Sequence, residues 1–282
     1  MIIGKHVSIA GGLDKSIKRA VDIGCNSMQI FIKSPRSWKA RELNEEEINK
    51  FKSERQKYNL SPVVVHATYL INIASPKKDL WKKSVDGLIT DYKRSDKIGA
   101  DYLVFHPGSH TGDGLDNGIE RIIDALNTIL HTLNSNTVIL LENMAGTGSS
   151  IGASFEVLDK IIKNVENNDR LGVCIDTCHA FAAQYNLAVK NGLENMICDI
   201  ENSFGLDRLK VIHVNDSKYS FGENKDEHAH IGEGEIGKNG FANIINHPKL
   251  KNIPFILETP WFNDGPDEDI TLLKSLNKSQ EE

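Results

Sequence analysis

Six short apolar segments of the sequence each end in a histidine or a carboxylate. The residues at these ends are, in order, His66, His106, Glu142, Asp176, His213 and Glu258. Neighbouring members are about 40 residues apart, the length of one β-strand followed by one helix. Imidazoles and carboxylates are ligands of zinc and manganese, and six of them gathered without a cation would repel one another and be costly to bury. Because one zinc ion takes three or four protein ligands, the series predicts at least two metal ions.

Three further candidate ligands lie close to this series in the sequence. His179 follows Asp176 by three residues, and Asp226 and His228 belong to the segment NKDEHAHIGEG. An aspartate and a histidine two residues apart can hold one ion together, and His179 could complete the group. On spacing alone, His230 is an alternative partner. The total is nine potential ligands, enough for three metal ions.

The elements that would position these residues form a regular alternation of strands and helices. Short runs rich in Val, Ile and Leu predict eight strands, at 5–10, 28–33, 62–67, 102–107, 137–143, 171–177, 211–216 and 254–259. Amphipathic segments between them predict helices at 13–23, from 45 after a cap at Asn44, and at 80–98, 117–133, 155–165, 187–204, 240–245 and 267–276.

Eight strands, each followed by a helix, predict an α/β fold that closes into a single (β/α)8 TIM barrel. We expect residues 1–282 to form one catalytic domain, with the metal site at the C-terminal face of the strands. Strand alternation then places Leu140 and Glu142, and likewise Val64 and His66, on the side that faces the barrel axis. An open doubly wound sheet is the less favoured alternative, because no glycine-rich phosphate-binding fingerprint follows any strand.

The composition is that of an ordinary globular protein. No apolar run approaches the roughly 20 residues of a membrane span, and the first residues lack the features of a secretory signal, so we expect a cytoplasmic protein without membrane contact. The 4 cysteines are too few for a disulfide scaffold and are expected to be reduced and buried. A formal charge of −6 repels a polyanion, so binding to nucleic acid would require a local source of positive charge.

Eight segments, distributed in order along the chain, together form a specific pattern. They are GKHVSIAGGL, HATYLINIASP, HPGSH, ENMAGTG, GVCIDTCHAFAA, HVNDSK, DEHAHIGEG and LETP. This series resembles the endonuclease IV family, the metal-dependent apurinic/apyrimidinic endonucleases of base-excision repair. The combination of CIDTCH with HVNDSK is highly specific, whereas HPG or LETP alone is not.

The resemblance implies a trinuclear metal site that uses all nine candidates. The three groups would be His66, His106 and Glu142; the shared Glu142 with Asp176, His213 and Glu258; and His179, Asp226 and His228. It favours His228 over His230. The implied metal is zinc, three ions per chain, with manganese as an alternative at one or more positions, and Glu142 and Glu258 would also be catalytic.

The same resemblance implies double-stranded DNA as the substrate. The reaction would hydrolyse the phosphodiester on the 5′ side of an abasic site, leaving a 3′-hydroxyl and a 5′-deoxyribose phosphate. Arg36, Tyr69 and Leu70 would enter the minor groove at the lesion, and the enzyme would act as a monomer. Further basic residues expected near DNA phosphates are Lys33, Lys39, Arg41 and Lys218.

One position departs from the family pattern, because Asp226-Glu227-His228 stands where the family commonly has Asp-Arg-His. The ligands remain, but a negative group replaces a positive one beside the site. A metal-dependent sugar isomerase or epimerase is the alternative function, since such barrels also place strand-end histidines and carboxylates around one or two metals. A non-catalytic DNA-binding protein with a structural zinc cluster is a third interpretation. The third group of ligands favours the endonuclease.

Overall fold

A computed structural model describes residues 1–262 and 267–278 and contains an eight-stranded parallel sheet. Its strands are β1 (Ile3–Lys5), β2 (Met28–Phe31), β3 (Val63–His66), β4 (Tyr102–Phe105), β5 (Val138–Glu142), β6 (Leu171–Asp176), β7 (Leu209–His213) and β10 (Phe255–Leu257). The sheet closes between β1 and β2, where His6 bridges Gln29 and the N–H of Val7 donates to the Gln29 carbonyl at 2.8 Å. The predicted (β/α)8 TIM barrel is therefore confirmed.

Helices cover the outside of the barrel between successive strands. They are α1 (Leu13–Asp22), α2 (Glu45–Lys57), α3 (Lys78–Ile98), α4 (Leu115–Thr132), α5 (Phe155–Lys163), α6 (Thr177–Ala183), α7 (Lys190–Asn202), α8 (Gly237–Ile245) and α9 (Glu268–Leu276). The predicted cap of α2 is present, since the side chain of Asn44 accepts from the N–H of Glu47 at 2.8 Å. Among the described residues, none of these helices combines the length and apolar character that a membrane crossing demands.

The apolar side chains form one core inside the barrel and another outside it. Six fully buried residues fill the inside, namely Val64, Val104, Leu140, Cys174, Val211 and Ile256. Each stands two residues before one of the six strand-end candidates, so both members of every pair are on the inner side of a strand. Their neighbours, such as Val63 and Val65, pack against the surrounding helices. The inner core therefore supports the candidate metal site from below.

Several boundaries differ from those predicted. β1 covers Ile3–Lys5 rather than 5–10, because the chain turns away from the sheet after His6, with the N–H of Gly12 donating to the carbonyl of Ile9 at 3.1 Å. α6 was not predicted, since this helix of 7 residues begins directly where β6 ends, without a polar segment to mark it. The antiparallel hairpin of β8 (Asp216–Ser217) and β9 (His228–Ala229) was also missed.

The four cysteines are unpaired. Cys25, Cys174 and Cys178 are buried, as predicted. Cys198 is exposed on α7, where the side-chain amide of Asn202 lies 3.4 Å from its sulfur, so the prediction of burial was wrong for this residue.

Candidate metal centre

The six strand-end candidates meet at the carboxyl ends of the barrel strands. Four of them are the last residues of β3, β5, β6 and β7, while His106 and Glu258 follow β4 and β10 by one residue. Most of these side chains are buried, but that of His106 is 28% exposed and that of Glu258 is 16% exposed. These two side chains therefore mark the side from which solvent and a substrate reach the cluster.

Glu142 lies at the centre of the cluster. Its Oε2 is 3.2 Å from the Nε2 atoms of both His66 and His106. Its Oε1 is 3.2 Å from Nδ1 of His213, and that nitrogen is 3.5 Å from Oε2 of Glu258. One oxygen of Glu142 thus faces each of two groups, which is the arrangement of a bridging carboxylate.

The third group stands on α6 and on the β8–β9 hairpin. Asp176 caps α6, and its Oδ1 accepts from the N–H of His179 at 2.9 Å. Nε2 of His179 lies 3.0 Å from Oδ2 of Asp226, and Nε2 of His228 lies 3.4 Å from Oδ1 of the same carboxylate. Nε2 of His228 is also 3.6 Å from Oδ2 of Asp176, so the third group adjoins the second.

The spacing of these atoms fits divalent metal ions. In a tetrahedral zinc site with bonds of about 2.1 Å, neighbouring ligand atoms are about 3.4 Å apart. The closest pairs in the third group, at 3.0 and 3.4 Å, match that separation. In addition, Nε2 of His179 and Nε2 of His228 are buried, and although the Asp226 carboxylate lies 3.0 and 3.4 Å away, neither nitrogen forms a well-aligned hydrogen bond with a described residue. A bound cation would satisfy both nitrogens, whose burial without a well-aligned partner is otherwise costly.

The outer nitrogen of three imidazoles is held by an acceptor. Nδ1–H of His66 donates to the next backbone carbonyl at 2.7 Å, and Nδ1–H of His179 donates to the carbonyl of Asn143 at 2.8 Å. Nε2–H of His213 donates to Oε1 of Gln29 at 2.8 Å. A proton on the outer nitrogen leaves the lone pair of the inner nitrogen directed at the cluster, as is usual for histidines that bind metals.

The charges in the cluster are strongly coupled. Burial alone would raise the pKa of Glu142, but the imidazoles of His213 and His106 lower it well below its ordinary value. Burial would likewise lower the pKa of His228, but the charge of Asp176 and the adjacent carboxylate of Asp226 raise it to about 9. Because an imidazole binds a metal only in its neutral form, metal binding has to displace protons from the histidines of this cluster.

Gln29 is a buried polar residue of the cluster that the sequence pattern did not single out. Its Nε2 donates to Oε1 of Glu258 at 2.5 Å, while its Oε1 accepts from His213. It therefore orients two candidate ligands on other strands. The available signal was its polarity, since Gln29 is the one polar residue of the strand MQIF.

Two asparagines, which the sequence pattern also did not single out, form hydrogen bonds with Asp176. Oδ1 of Asn143 accepts from the N–H of Asp176 at 2.6 Å, and Nδ2 of Asn215 donates to its Oδ2 at 2.7 Å. Oδ1 of Asn215 also accepts from the N–H of Glu258 at 2.8 Å. Both asparagines are buried just beyond the ends of β5 and β7, and such buried polar residues at strand ends were the available signal.

Cys178 and His230 are the nearby alternatives to the third group. Sγ of Cys178 lies within 4.8 Å of ligand atoms of Asp176 and His228. Burial raises the pKa of this thiol and keeps it protonated, whereas the thiolate is the form that binds metals. Nδ1 of His230 instead lies 2.9 Å from Oδ2 of Asp269. The geometry therefore groups His228, rather than His230, with Asp226 and His179.

The three predicted DNA contacts lie on two loops at the same end of the barrel. Tyr69 is exposed beside the cluster, with its ring centroid 5.9 Å from that of His66 and 5.2 Å from that of Phe31. Leu70 is half-buried next to it. Arg36 is exposed on the connection between β2 and α2, and its guanidinium forms no hydrogen bond or ion pair with a described residue. Arg36 and Tyr69 are therefore accessible from solvent, and Leu70 is partly so.

Three of the four basic residues expected near DNA phosphates are paired with carboxylates, and one of them is Arg41, which pairs with Glu47. Lys33 is buried, and its Nζ lies 2.8 Å from Oδ1 of Asp91 in α3, so the expectation was wrong for this residue. Nζ of Lys218 lies 2.6 Å from Oε1 of Glu227, whose other oxygen accepts from the hydroxyl of Tyr219 at 3.1 Å. The glutamate that departs from the family pattern thus neutralises a neighbouring cation.

A cleft of about 420 Å³ opens beside the cluster. Phe31, Pro35 and Trp261 provide much of its wall, together with His6. Nδ1 of His6 is 3.5 Å from Oε1 of Glu258, so the cleft leads from the loop after β2 to the exposed side of the cluster.

Comparison with known proteins identifies the family. Residues 17–276 match the family model described as a xylose isomerase-like TIM barrel. The chain is 56% identical over 278 residues to the probable endonuclease 4 of Halothermothrix orenii, covering 99% of this chain and 100% of that protein. The chain belongs to the endonuclease IV family. The crystal structure of endonuclease IV from Thermus thermophilus has a TM-score of 0.86 at 37% identity, covering 98% of this chain and 97% of that one.

The likeness of this endonuclease IV family member to sugar epimerases is one of fold alone. The crystal structure of a D-tagatose 3-epimerase-like protein gives a TM-score of 0.71 at 22% identity, covering 98% of this chain and 95% of that chain. At that identity only the barrel is shown to be shared. The endonuclease IV relatives, in contrast, match over nearly the whole chain, including the segments that bear the third group.

Proposed function

We propose that the chain is an apurinic/apyrimidinic endonuclease that hydrolyses the phosphodiester on the 5′ side of an abasic site in double-stranded DNA. The products are a 3′-hydroxyl and a 5′-deoxyribose phosphate, and the reaction is a step of base-excision repair. The main support is the convergence of nine imidazole and carboxylate side chains at one end of the barrel. Relatives named endonuclease 4 and endonuclease IV support the class of reaction.

Three divalent cations are the proposed cofactors, zinc first, with manganese as an alternative at one or more positions. The candidate groups are His66, His106 and Glu142; Glu142, Asp176, His213 and Glu258; and His179, Asp226 and His228. When bound, these ions supply a nucleophilic hydroxide near neutral pH and positive charge for the phosphoryl transition state. Their charge exceeds that of the ligand carboxylates, which gives an acidic chain the local positive source that DNA binding requires.

Glu142 and Glu258 are the proposed catalytic residues. Glu142 keeps two groups at a fixed spacing, because each of its oxygens faces a different group. Glu258 lies on the open side of the cluster. Although burial raises its pKa, His213 lowers it below the ordinary value, so the carboxylate is ionised. From the open side of the cluster, this carboxylate would accept a hydrogen bond from the attacking water and orient it.

Arg36, Tyr69 and Leu70 recognise the lesion from the minor groove. Rotating an intact nucleotide out of the duplex costs a few kcal/mol, and the cost is lower for an abasic nucleotide, which has no base to unpair or unstack. The ring of Tyr69 and the side chain of Leu70, at the rim of the cluster, fill the space left by the displaced nucleotide. Selectivity then follows from the low cost of deforming DNA at the lesion.

The chain acts as one catalytic domain, residues 1–282, and as a monomer in the cytoplasm. In support, one chain supplies every candidate ligand. The unpaired cysteines agree with a reducing compartment.

The proposal is tested on a duplex with a single tetrahydrofuran analogue of an abasic site. We expect incision 5′ to the analogue, an extendable 3′-hydroxyl, and no cleavage of the intact duplex. Protein purified without added metal should contain about three equivalents of metal by elemental analysis. Turnover of a free sugar without incision would instead support an isomerase, and fewer than about two equivalents would contradict the trinuclear centre.

Glu258→Gln tests the role assigned to the carboxylate. This change removes the negative charge with little change of shape and should lower kcat by about 100-fold or more, as the loss of a single positioned polar group in a reaction centre does. Glu166→Gln is the matched control, because Glu166 is 66% exposed and pairs with His131 away from the cluster. Equal activity of the two variants would remove Glu258 from the mechanism.

A further inference from the structure

One arginine holds both ends of the loop that bears Arg36. Arg94 of α3 is 9% exposed; its Nη1 donates to the carbonyl of Arg41 at 2.6 Å and its Nη2 to the carbonyl of Ile32 at 2.9 Å. The carbonyl of Ile32 directly precedes residues 33–41, here called the 33–41 loop, and the carbonyl of Arg41 belongs to the last residue of that loop. A single guanidinium therefore brings the beginning and the end of the loop to the same point on α3.

Arg94 also depends on the loop for its own partners. It forms no ion pair with any described residue, because Asp91, the nearest acid on α3, is paired with the buried Lys33 at 2.8 Å. A buried guanidinium is costly unless hydrogen bonds satisfy it. Since the two loop carbonyls accept from Arg94, displacement of the loop would leave this buried cation without them.

Trp38 attaches the middle of the 33–41 loop to the same helix. A Cβ placed on the buried Gly87 of α3 would lie 3.2 Å from Cζ3 of the indole, so the ring sits against the bare backbone at this position. Nζ of Lys83 lies 5.4 Å from the ring centroid. α3 therefore contacts the loop near its start, middle and end.

We propose that Arg94 is a positioning residue for lesion recognition, holding the 33–41 loop in the conformation in which Arg36 enters the DNA. The inference rests on the proposed function. Because the side chain of Arg36 has no partner among the described residues, only the backbone of the loop sets its place. Without Arg94 the loop would have to be ordered on binding, and that ordering would weaken affinity for the lesion. The chemical step, made by residues on other strands, would be spared.

Arg94→Lys is the first test, since lysine keeps the charge but lacks the fork that reaches two carbonyls. On the abasic duplex we expect KM to rise about tenfold, the effect of losing one hydrogen bond to a charged group. We expect kcat to change less than about twofold and the metal content to stay at the wild-type value. Unchanged KM would overturn the proposal.

Arg170→Lys is the matched control. Nη1 of Arg170 donates to the carbonyl of Leu133 at 2.6 Å and Nη2 to the carbonyl of Leu130, so Arg170 holds two backbone carbonyls as Arg94 does. Arg170, however, directly precedes β6 and therefore lies at the opposite end of the barrel from the cluster. This variant should leave KM unchanged. An equal rise of KM in both variants would show a general loss of stability and overturn the assigned role.

A double-mutant cycle with Arg36→Ala tests whether Arg94 acts through the loop. If it does, Arg94→Lys will reduce kcat/KM much less in the Arg36→Ala background than in the wild type. Equal reductions in both backgrounds would overturn the proposal. If Arg94→Lys fails to fold, Arg94→Met replaces it, because methionine removes both hydrogen bonds and fills much of the same buried space without an unpaired charge. The same rise of KM is then expected, and an unchanged KM overturns the proposal.

Trypsin separates this inference from the proposed function, since the 33–41 loop contains Arg36, Lys39 and Arg41. Cleavage after these residues should be faster in Arg94→Lys than in the wild type or in Arg170→Lys. If the wild type does not bind abasic DNA, the proposed function fails while faster cleavage still supports the loop attachment. Equal cleavage in all three proteins would overturn the attachment itself.

Discussion

Gln29 should set the metal affinity of the centre. Its Oε1 accepts from His213 at 2.8 Å and its Nε2 donates to Glu258 at 2.5 Å. Gln29→Leu keeps this buried position filled but leaves the N–H of His213 without an acceptor, at a cost of about 1–3 kcal/mol. At about 1.4 kcal/mol per factor of ten, zinc affinity should fall about 10- to 100-fold, as it does when partners of ligand histidines are lost. Chelator competition measures this affinity.

Thr137→Val is the comparison for this prediction. Thr137 is 2% exposed, and its Oγ1 donates to the carbonyl of Ala100 at 2.7 Å, at the other end of the barrel from the ligands. Its loss should lower the free energy of unfolding without changing zinc affinity. If Gln29→Leu binds zinc within about twofold of the wild type, the glutamine does not orient His213 and the reasoning from its two hydrogen bonds is refuted. Equal losses of affinity in both variants would indicate only reduced stability.

Three further outcomes are expected. Below pH 9, zinc affinity should fall by up to about tenfold per pH unit for each proton that zinc must displace. The reason is that Asp176 raises the pKa of His228 to about 9 against the effect of burial, so this imidazole is protonated at lower pH. A flat profile from pH 6 to 9 in chelator competition would contradict this prediction. Glu227→Arg, which also releases the neighbouring lysine, should strengthen DNA binding and steepen its log–log salt dependence by about one per new phosphate contact; an unchanged slope in anisotropy titrations would place the hairpin away from DNA. Asp216→Ala should lower the free energy of unfolding by about 3 kcal/mol or more in urea titrations, because its buried carboxylate accepts backbone N–H groups of the 232–237 loop; a smaller loss would mean that water replaces the carboxylate.

The barrel and the meeting of its six strand-end side chains were predictable from the sequence. The period of a strand is two, so a buried residue such as Leu140 assigns the same side to Glu142. In a parallel barrel all carboxyl ends are at one face, so a repeated strand-end pattern implies one site. Neither step requires knowledge of distant contacts.

Contacts between distant segments were not predictable in the same way. The pattern of β2 places Gln29 on the inner side, but it does not reveal that His213 and Glu258 lie within hydrogen-bonding distance. For Lys33 the local sequence indicated a solvent-exposed basic loop, whereas the side chain turns inward to Asp91, far along the chain on α3. Such pairings depend on how helices pack around the barrel, and hydrophobic periodicity contains no information about them.

The third ligand group depends on the elements that the periodicity failed to predict. The first two groups need only strand ends, which every barrel of this kind supplies, and a D-tagatose 3-epimerase-like protein shares that barrel at 22% identity. His179 stands on α6, and His228 stands on a hairpin of two residues per strand. Neither element could persist on its own backbone hydrogen bonds, so the cap from Asp176 and the loop contacts of Asp216 have to keep them in place. The third candidate group is therefore located where buried polar side chains, rather than apolar packing, determine the structure.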